Sequence, residues 1–133
     1  MFWRRRRTCA TSLSVELYRR FRLVLSALAI CPWHRDTWLL ENALALAGVA
    51  LLAVFHRRLL FSRVSYTLIF VFMCLHQVGA HYTYSEVPYD VWFQKLTGRT
   101  FNSLVGWERN NFDRVVHFAY GLLIAYPVRE IFL

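Results

Sequence analysis

Residues 64–84 read VSYTLIFVFMCLHQVGAHYTY and contain no Lys, Arg, Asp or Glu. At about 1.5 Å per helical residue, a run of this length spans the roughly 30 Å hydrocarbon layer of a bilayer. The stretch therefore predicts a membrane-crossing helix.

The overall composition agrees with a membrane protein. The 133 residues are 57% hydrophobic and 18% charged, with a mean hydropathy of +0.32, whereas a soluble domain has roughly 45–50% apolar and about 25% charged residues. This excess of apolar residues excludes intrinsic disorder. The three cysteines form no CxxC pair, so they indicate neither a disulfide framework nor a zinc ribbon.

Three further apolar segments accompany the first, at residues 38–55, 113–132 and 23–33. The last of these is short for a span, and snorkelling of the arginines that precede it would lengthen it. The sequence therefore predicts an all-α, polytopic transmembrane bundle of about four segments. Its membrane domain covers residues 23–133 and follows a basic cytoplasmic segment, residues 1–22.

Charge placement predicts the orientation. If all four segments cross, most of the cations gather on one side: Arg4, Arg5, Arg6, Arg7, Arg19, Arg20, Arg22, Arg57, Arg58, Arg63 and Arg129. The positive-inside rule then places both termini in the cytoplasm of a bacterial inner membrane. The basic N-terminus is expected to meet anionic lipid headgroups. Nucleic acid is not expected, because it would need a basic face on a soluble module.

Residues 85–112 form a connection much longer than most helix–helix loops, and they lie on the outer side in this topology. Pro88 and Gly98 bracket YDVWFQKLT, which predicts a short helix. Trp92, Phe93 and Leu96 share one face of that helix, the pattern of an amphipathic helix at the headgroup level. The loop is interpreted either as a cap over the helices or as an aromatic belt that anchors the bundle.

Ionisable residues converge on the same outer side. Asp113 and His117 lie one turn apart on the last segment, and Glu41 enters from the second. His81 ends the third segment, while His76 lies deeper and points some 140° away from it. Because ionisable groups inside a membrane are functional by default, we expect an outward-facing polar pocket. The candidate catalytic residues are His117, Asp113, His81, Glu108 and Glu41.

Structural roles for these residues stay open at this stage. Asp113 could simply complement the dipole of the last helix behind an Asn110 N-cap, with His117 held by Asp113 for packing. His81, Asp113 and His117 have donor types that suit zinc or manganese, but their spacing is not diagnostic, so metal and cofactor stay unassigned. HExxH, GxSxG, Walker and GxGxxG motifs are absent from the sequence. The sequence does not indicate an oligomeric state.

Two motifs, HQVGAHYTYSEVPYD and GWERNNFDRVVHFAYGLL, resemble the bacterial inner-membrane family of unknown function typified by YjdF. The resemblance covers about residues 38–133 and implies an integral membrane protein, with no activity or cofactor attached. Family members usually continue through further hydrophobic segments, so a C-terminally truncated chain is expected, and the N-terminus could be an alternative start. A fainter similarity to VanZ-like membrane proteins covers residues 113–123.

Three functional hypotheses follow. The first is an inner-membrane protein of unknown role with an outward-facing His/Asp/Glu pocket. The second is a hydrolase or transferase acting on a lipid or lipid-linked substrate, with His117 as general base or metal ligand and Asp113 orienting it. The third is a transporter or proton relay along Glu41, His76 and His117, which needs polar groups to continue toward the inner side.

Overall fold

The computed structural model describes residues 2–55 and 61–132, with the backbone alone for residues 2–11. These residues form six helices and no strand: α1 (Phe2–Leu28), α2 (Arg35–Phe55), α3 (Arg63–His81), α4 (Tyr89–Thr97), α5 (Phe101–Val105) and α6 (Phe112–Ile131). The all-helical prediction is therefore confirmed for the described part of the chain.

Helix α3 is the centre of the bundle and packs against α6, α1 and α2. A side chain of α6 holds the first turn of α3 in place. The Glu130 carboxylate accepts hydrogen bonds from the Ser62 backbone N–H (2.9 Å) and from the Ser65 hydroxyl (2.7 Å). An anion at a helix N-terminus is favourable because the amide dipoles point toward it. The contact places the end of α6 beside the start of α3, so the two helices are antiparallel.

The opposite end of α3 is tied to the turn between α1 and α2. His81 Nδ1 lies 2.7 Å from the Leu28 carbonyl oxygen, and the Trp33 N–H donates to the His81 carbonyl at 3.2 Å. Leu28 and His81 therefore end their helices at the same level, and α1 runs in the same direction as α3. Further along, Gln77 donates to Asn42 Oδ1 at 2.6 Å and holds α2 antiparallel to α3.

The structure corrects the prediction for the first segment. α1 is continuous across the predicted boundary at residue 22 and ends at Leu28, so residues 29–33 of the predicted 23–33 segment are not helical. Arg19, Arg20 and Arg22 lie about 9–14 Å before that end, alongside the middle of α3. They are exposed there, away from the end of the bundle that carries Ser62 and Glu130. The side chains of Arg4–Arg7 lie outside the described residues, as do Arg57 and Arg58.

The long connection between α3 and α6 agrees with its prediction. Helix α4 covers the expected YDVWFQKLT, and Gly98 ends it in the left-handed conformation at φ 79°. Thr100 begins α5, where its hydroxyl accepts from Ser103 N. The Asp90 carboxylate accepts from the Asn102 N–H at 2.9 Å and links the two short helices.

Helix α2 has the burial pattern of a membrane helix. Within the described residues, its one buried side chain is the polar Asn42, while large apolar side chains such as Leu44 are exposed. In a soluble protein the polarity would be reversed. Of the described helices, α2 and α3 are long and apolar enough to cross a membrane. The other two predicted crossings, by α1 and α6, stay predictions.

Candidate functional site

An open cleft of about 430 Å³ lies where α2, α3 and α6 approach one another. Titratable and aromatic side chains dominate its lining, which consists of Glu41, Phe72, His76, Tyr84, Asp113, Val116, His117 and Tyr120. Glu41, Asp113 and His117 were predicted from the sequence, and the structure brings all three to this cleft.

His117 has a defined tautomer because of its position on α6. Its Nδ1 lies 2.7 Å from the backbone carbonyl oxygen of Asp113, one turn earlier. A carbonyl can only accept, so Nδ1 carries the proton and the lone pair is on Nε2. The sequence interpretation expected the Asp113 carboxylate to orient this ring. The structure assigns that role to the Asp113 backbone carbonyl, which leaves the carboxylate available for other contacts.

His76 and Tyr84 form the second polar pair of the cleft. The Tyr84 hydroxyl lies 2.7 Å from His76 Nδ1. The same hydroxyl also bonds to the Glu41 carboxylate. A carboxylate can only accept, so the phenol donates to it. We assign its proton to Glu41, so that its oxygen accepts from His76 Nδ1–H and the lone pair of His76 is on Nε2.

A tight turn brings Tyr84 back to the helix that it follows. Thr83 and Tyr84 both have φ 53°, a left-handed conformation that is rare for residues other than glycine and that a β-branched threonine strongly disfavours. The Tyr84 N–H donates to the Gly79 carbonyl at 2.7 Å. The Tyr84 ring also occupies the space where a Cβ of Gly79 would be. This close approach requires glycine at position 79.

Asp113 contributes a carboxylate with two different environments. Its Oδ2 lies 3.9 Å from the Arg109 guanidinium, a pair in which both side chains are substantially exposed. Its Oδ1 is buried and has no hydrogen-bond partner among the described residues. The Nε2 of His76 is likewise buried and has no hydrogen-bond partner among the described residues. Buried polar atoms are normally paired, so these two atoms are exceptions among the cleft side chains.

Two of the predicted site residues lie elsewhere. His81 bonds to Leu28 and packs edge-on against Tyr82 with ring centroids 4.5 Å apart, so it holds the end of α1. Glu108 is exposed between α5 and α6 and does not line the cleft. His76 lies in the cleft instead of His81, which agrees with the opposite directions predicted for the two rings. The N-cap of α6 is Asn111 and not the predicted Asn110, although the Asn110 side chain accepts from the Phe112 N–H at 3.0 Å.

Sequence reasoning missed Tyr84 and the Asn42–Gln77 pair. Asn42 and Gln77 are almost completely buried, at 2% and 0% exposure. Asn42 also donates to the Trp38 carbonyl at 2.8 Å. Each of these polar residues directly follows a cleft residue, Glu41 or His76, so the pair fixes the relative height of two cleft side chains. The sequence signal for this pair is that each of the apolar runs 38–55 and 64–84 contains a single amide side chain.

Metal binding and proton relay receive no geometric support. Among the described residues, no three His, Cys, Asp or Glu side chains are grouped as metal ligands. A relay would need polar groups toward the far end of α3, where Ser62 and Ser65 bind Glu130. Between Ser65 and the cleft residue Phe72, α3 carries Tyr66 and Thr67 and then four apolar residues, 68–71.

Comparisons with known proteins agree with the membrane character of the fold. A family model described as "Predicted membrane protein (DUF2238)" matches residues 15–133. Inner membrane protein YjdF of Escherichia coli (strain K12) is 34% identical over 109 residues, which are 82% of this chain and 48% of that protein. The chain thus spans about half the length of this curated relative. No solved structure matches it.

Proposed function

This chain belongs to the DUF2238 family of membrane proteins, and from that premise we propose that its cleft is an acid–base site acting on a substrate in the membrane. His117 is the general base. The observation that carries the proposal is the Nδ1–H bond of His117 to the Asp113 carbonyl, which leaves the basic Nε2 on a ring that lines an open cleft.

The second imidazole supplies the complementary acid. The Glu41–Tyr84–His76 chain holds the His76 ring, which takes up a proton from water and passes it to the leaving group, while the proton that His117 accepts returns to water. Two imidazoles in one cleft allow one to remove a proton while the other provides one. This arrangement is typical of general acid–base catalysis.

The lining residues also narrow the reaction class. Among the described residues, no Ser, Thr or Cys lines the cleft, so the protein offers there none of the aliphatic hydroxyls or thiols most used in covalent catalysis. The nucleophile is water or the hydroxyl of a second substrate. The reaction is therefore a hydrolysis or a group transfer, with His117 Nε2 accepting the proton of the attacking group.

The substrate is an amphiphile because of where the cleft opens. Phe72, Val116 and Tyr120 are apolar or aromatic parts of its lining. Next to them on α6, the Phe118 and Leu122 side chains are 72% and 64% exposed. A substrate with an alkyl chain can lie along this surface while its polar group enters the cleft.

The test uses the purified protein in vesicles made from a total bacterial lipid extract, with products followed by mass spectrometry. We expect turnover in the unmodified protein and in the control variant His34→Gln, since His34 is exposed and outside the cleft. His117→Gln should lower turnover by about 10²–10⁴-fold, the usual contribution of a general base. Full turnover by a folded His117→Gln protein would contradict the proposal.

A further inference from the structure

The cleft combines two carboxylates with aromatic walls. Glu41 and Asp113 enter from different helices, and none of its described lining residues is Lys or Arg. The nearby Arg109 contacts Asp113 Oδ2 at 3.9 Å, but both side chains are substantially exposed, so this ion pair is weak. A group that enters the cleft therefore meets two carboxylates, and the partner that suits both is a positively charged hydrogen-bond donor.

The aromatic rings add a second preference. Phe72 and Tyr120 meet edge to face with centroids 5.4 Å apart. The His76 ring lies 6.3 Å from Phe72 and 6.0 Å from Tyr84. Faces of aromatic rings attract cations. An anionic headgroup such as a phosphate or a carboxylate would instead meet the Glu41 and Asp113 charges at close range, and like charges repel.

Taking the acid–base site as its starting point, we propose that the ligand of this cleft carries a primary ammonium group. The ammonium lies between the Glu41 and Asp113 carboxylates, with the Phe72 and Tyr120 rings beside it. A primary ammonium has three N–H donors and can satisfy two separated carboxylates at once, whereas a quaternary ammonium has none. A primary ammonium group occurs both in an aminophospholipid headgroup and in a free alkylamine.

The test measures binding and needs no turnover. The purified protein in detergent is exposed in turn to phosphatidylethanolamine, phosphatidylcholine and phosphatidylglycerol, and retained lipid is counted by native mass spectrometry. Free ethanolamine is titrated separately. We expect retention of phosphatidylethanolamine if a lipid supplies the ammonium, or binding of ethanolamine alone if a free amine does. Equal retention of the three lipids without ethanolamine binding would overturn the proposal.

Variants distinguish the cleft from the rest of the surface. Glu41→Gln and Asp113→Asn each remove one charge, and we expect each to weaken ammonium binding by at least about tenfold, the value of one charge-assisted hydrogen bond. Asp113→Asn leaves the backbone bond to His117 in place. Glu108→Gln removes an exposed carboxylate outside the cleft and should change nothing. Thermal unfolding of each variant shows whether it is folded, and unchanged binding by folded Glu41→Gln and Asp113→Asn proteins would overturn the proposal.

The two proposals can fail separately. If His117→Gln retains ammonium binding but turnover is absent from every form of the protein, the acid–base function falls and the ammonium site stands. If turnover requires His117 but acts equally on lipids without an amine, the ammonium proposal falls alone.

Discussion

At Gly79, helix α3 has no side chain, and the ring of Tyr84 occupies the vacant space. The two left-handed residues that turn the chain, Thr83 and Tyr84, cost of order 1–3 kcal/mol each. Such a conformation persists where the surrounding contacts stabilise it by enough to offset this cost. Here those contacts are the hydroxyl bond to His76, the N–H bond to the Gly79 carbonyl and the ring packing on α3.

A pair of glycine substitutions tests this close approach. Gly79→Ala should destabilise the protein by about 1–3 kcal/mol, because the new methyl group must displace the Tyr84 ring. The matched control is Gly48→Ala in α2, where nothing lies within 4 Å of the added Cβ. That change should be neutral or stabilise by up to about 1 kcal/mol, since alanine favours a helix over glycine. Unfolding in mixed micelles measures both.

The comparison between the two glycines decides the interpretation. If Gly79→Ala and Gly48→Ala changed the free energy of unfolding alike, Tyr84 would not be seated on α3 as described.

The same residues show what the sequence could and could not predict at this scale. Asp113 and His117 were predicted to be neighbours because helical periodicity alone places them one turn apart. Tyr84 could not be found this way, since it lies outside a regular helix. Its position depends on backbone angles that follow from tertiary contacts. The exclusion of His81 from the cleft follows from its bond to Leu28, a residue 53 positions away in the chain.

At the scale of helices, the interface between α2 and α3 is fixed by polar side chains. Asn42 and Gln77 are both buried and bond to each other at 2.6 Å, with Asn42 also bonded to its own helix at Trp38. In an apolar environment such a bond favours one register of two helices, because sliding leaves both amides unpaired. Glu41 and His76 directly precede Asn42 and Gln77 in the chain, so their relative positions in the cleft depend on this register.

A double-mutant cycle measures the amide pair. Asn42→Leu and Gln77→Leu should each destabilise the protein, since each leaves the other amide buried without its partner. The double variant should lose less than the sum of the two, with a coupling free energy of about 0.5–1.5 kcal/mol, as for other hydrogen bonds between membrane helices. Unfolding in micelles gives the four values.

Thr67→Val provides the control, because Thr67 is exposed and bonds within its own helix to Arg63. Combined with Asn42→Leu, it should be additive. Additivity of the Asn42 and Gln77 changes would mean that the two amides do not hold the helices together.

Local signals predicted some helices well and one poorly. Pro88 and Gly98 mark the ends of α4, because both residues act through the local backbone. Helix α1 was predicted to begin its membrane segment at Leu23 because the arginines before it interrupt the apolar run. In the structure Phe21 is buried while Arg19 and Arg22 are exposed. α1 therefore continues through the arginines by presenting one face to the bundle.

At the scale of the whole molecule, the bundle has two chemically distinct ends. One end carries the α1–α2 turn, α4, α5 and the cleft, and the other carries Phe61, Ser62 and Glu130. Arg19, Arg20 and Arg22 lie between these ends on the outside of α1. A charged side chain is costly in hydrocarbon. If α1 crosses the membrane as predicted, this face of the helix requires water or a polar partner there.

Cysteine accessibility in intact cells tests the arrangement of the ends. In single-cysteine variants, Glu86→Cys and the native Cys31 should react with a membrane-impermeant maleimide, since both positions are exposed at the cleft end. Phe132→Cys, at the other end, should react only after the cells are permeabilised. Fluorescence of the labelled protein on a gel provides the measurement.

Two labelling results would contradict this arrangement of the ends. Reaction of residue 132 but not residues 31 and 86 in intact cells would invert the predicted orientation, and reaction of all three would exclude a bundle that separates its ends.

The backward turn at Tyr84 also bears on biogenesis. During synthesis α3 leaves the ribosome well before Asp113 and His117 have been translated, so His76 enters the membrane with most of its later neighbours missing. The Tyr84 hydroxyl follows only eight residues behind and can cover the imidazole at once. The nascent chain thus protects its buried ring by a local contact, and the remaining wall of the cleft is added when the final helix inserts.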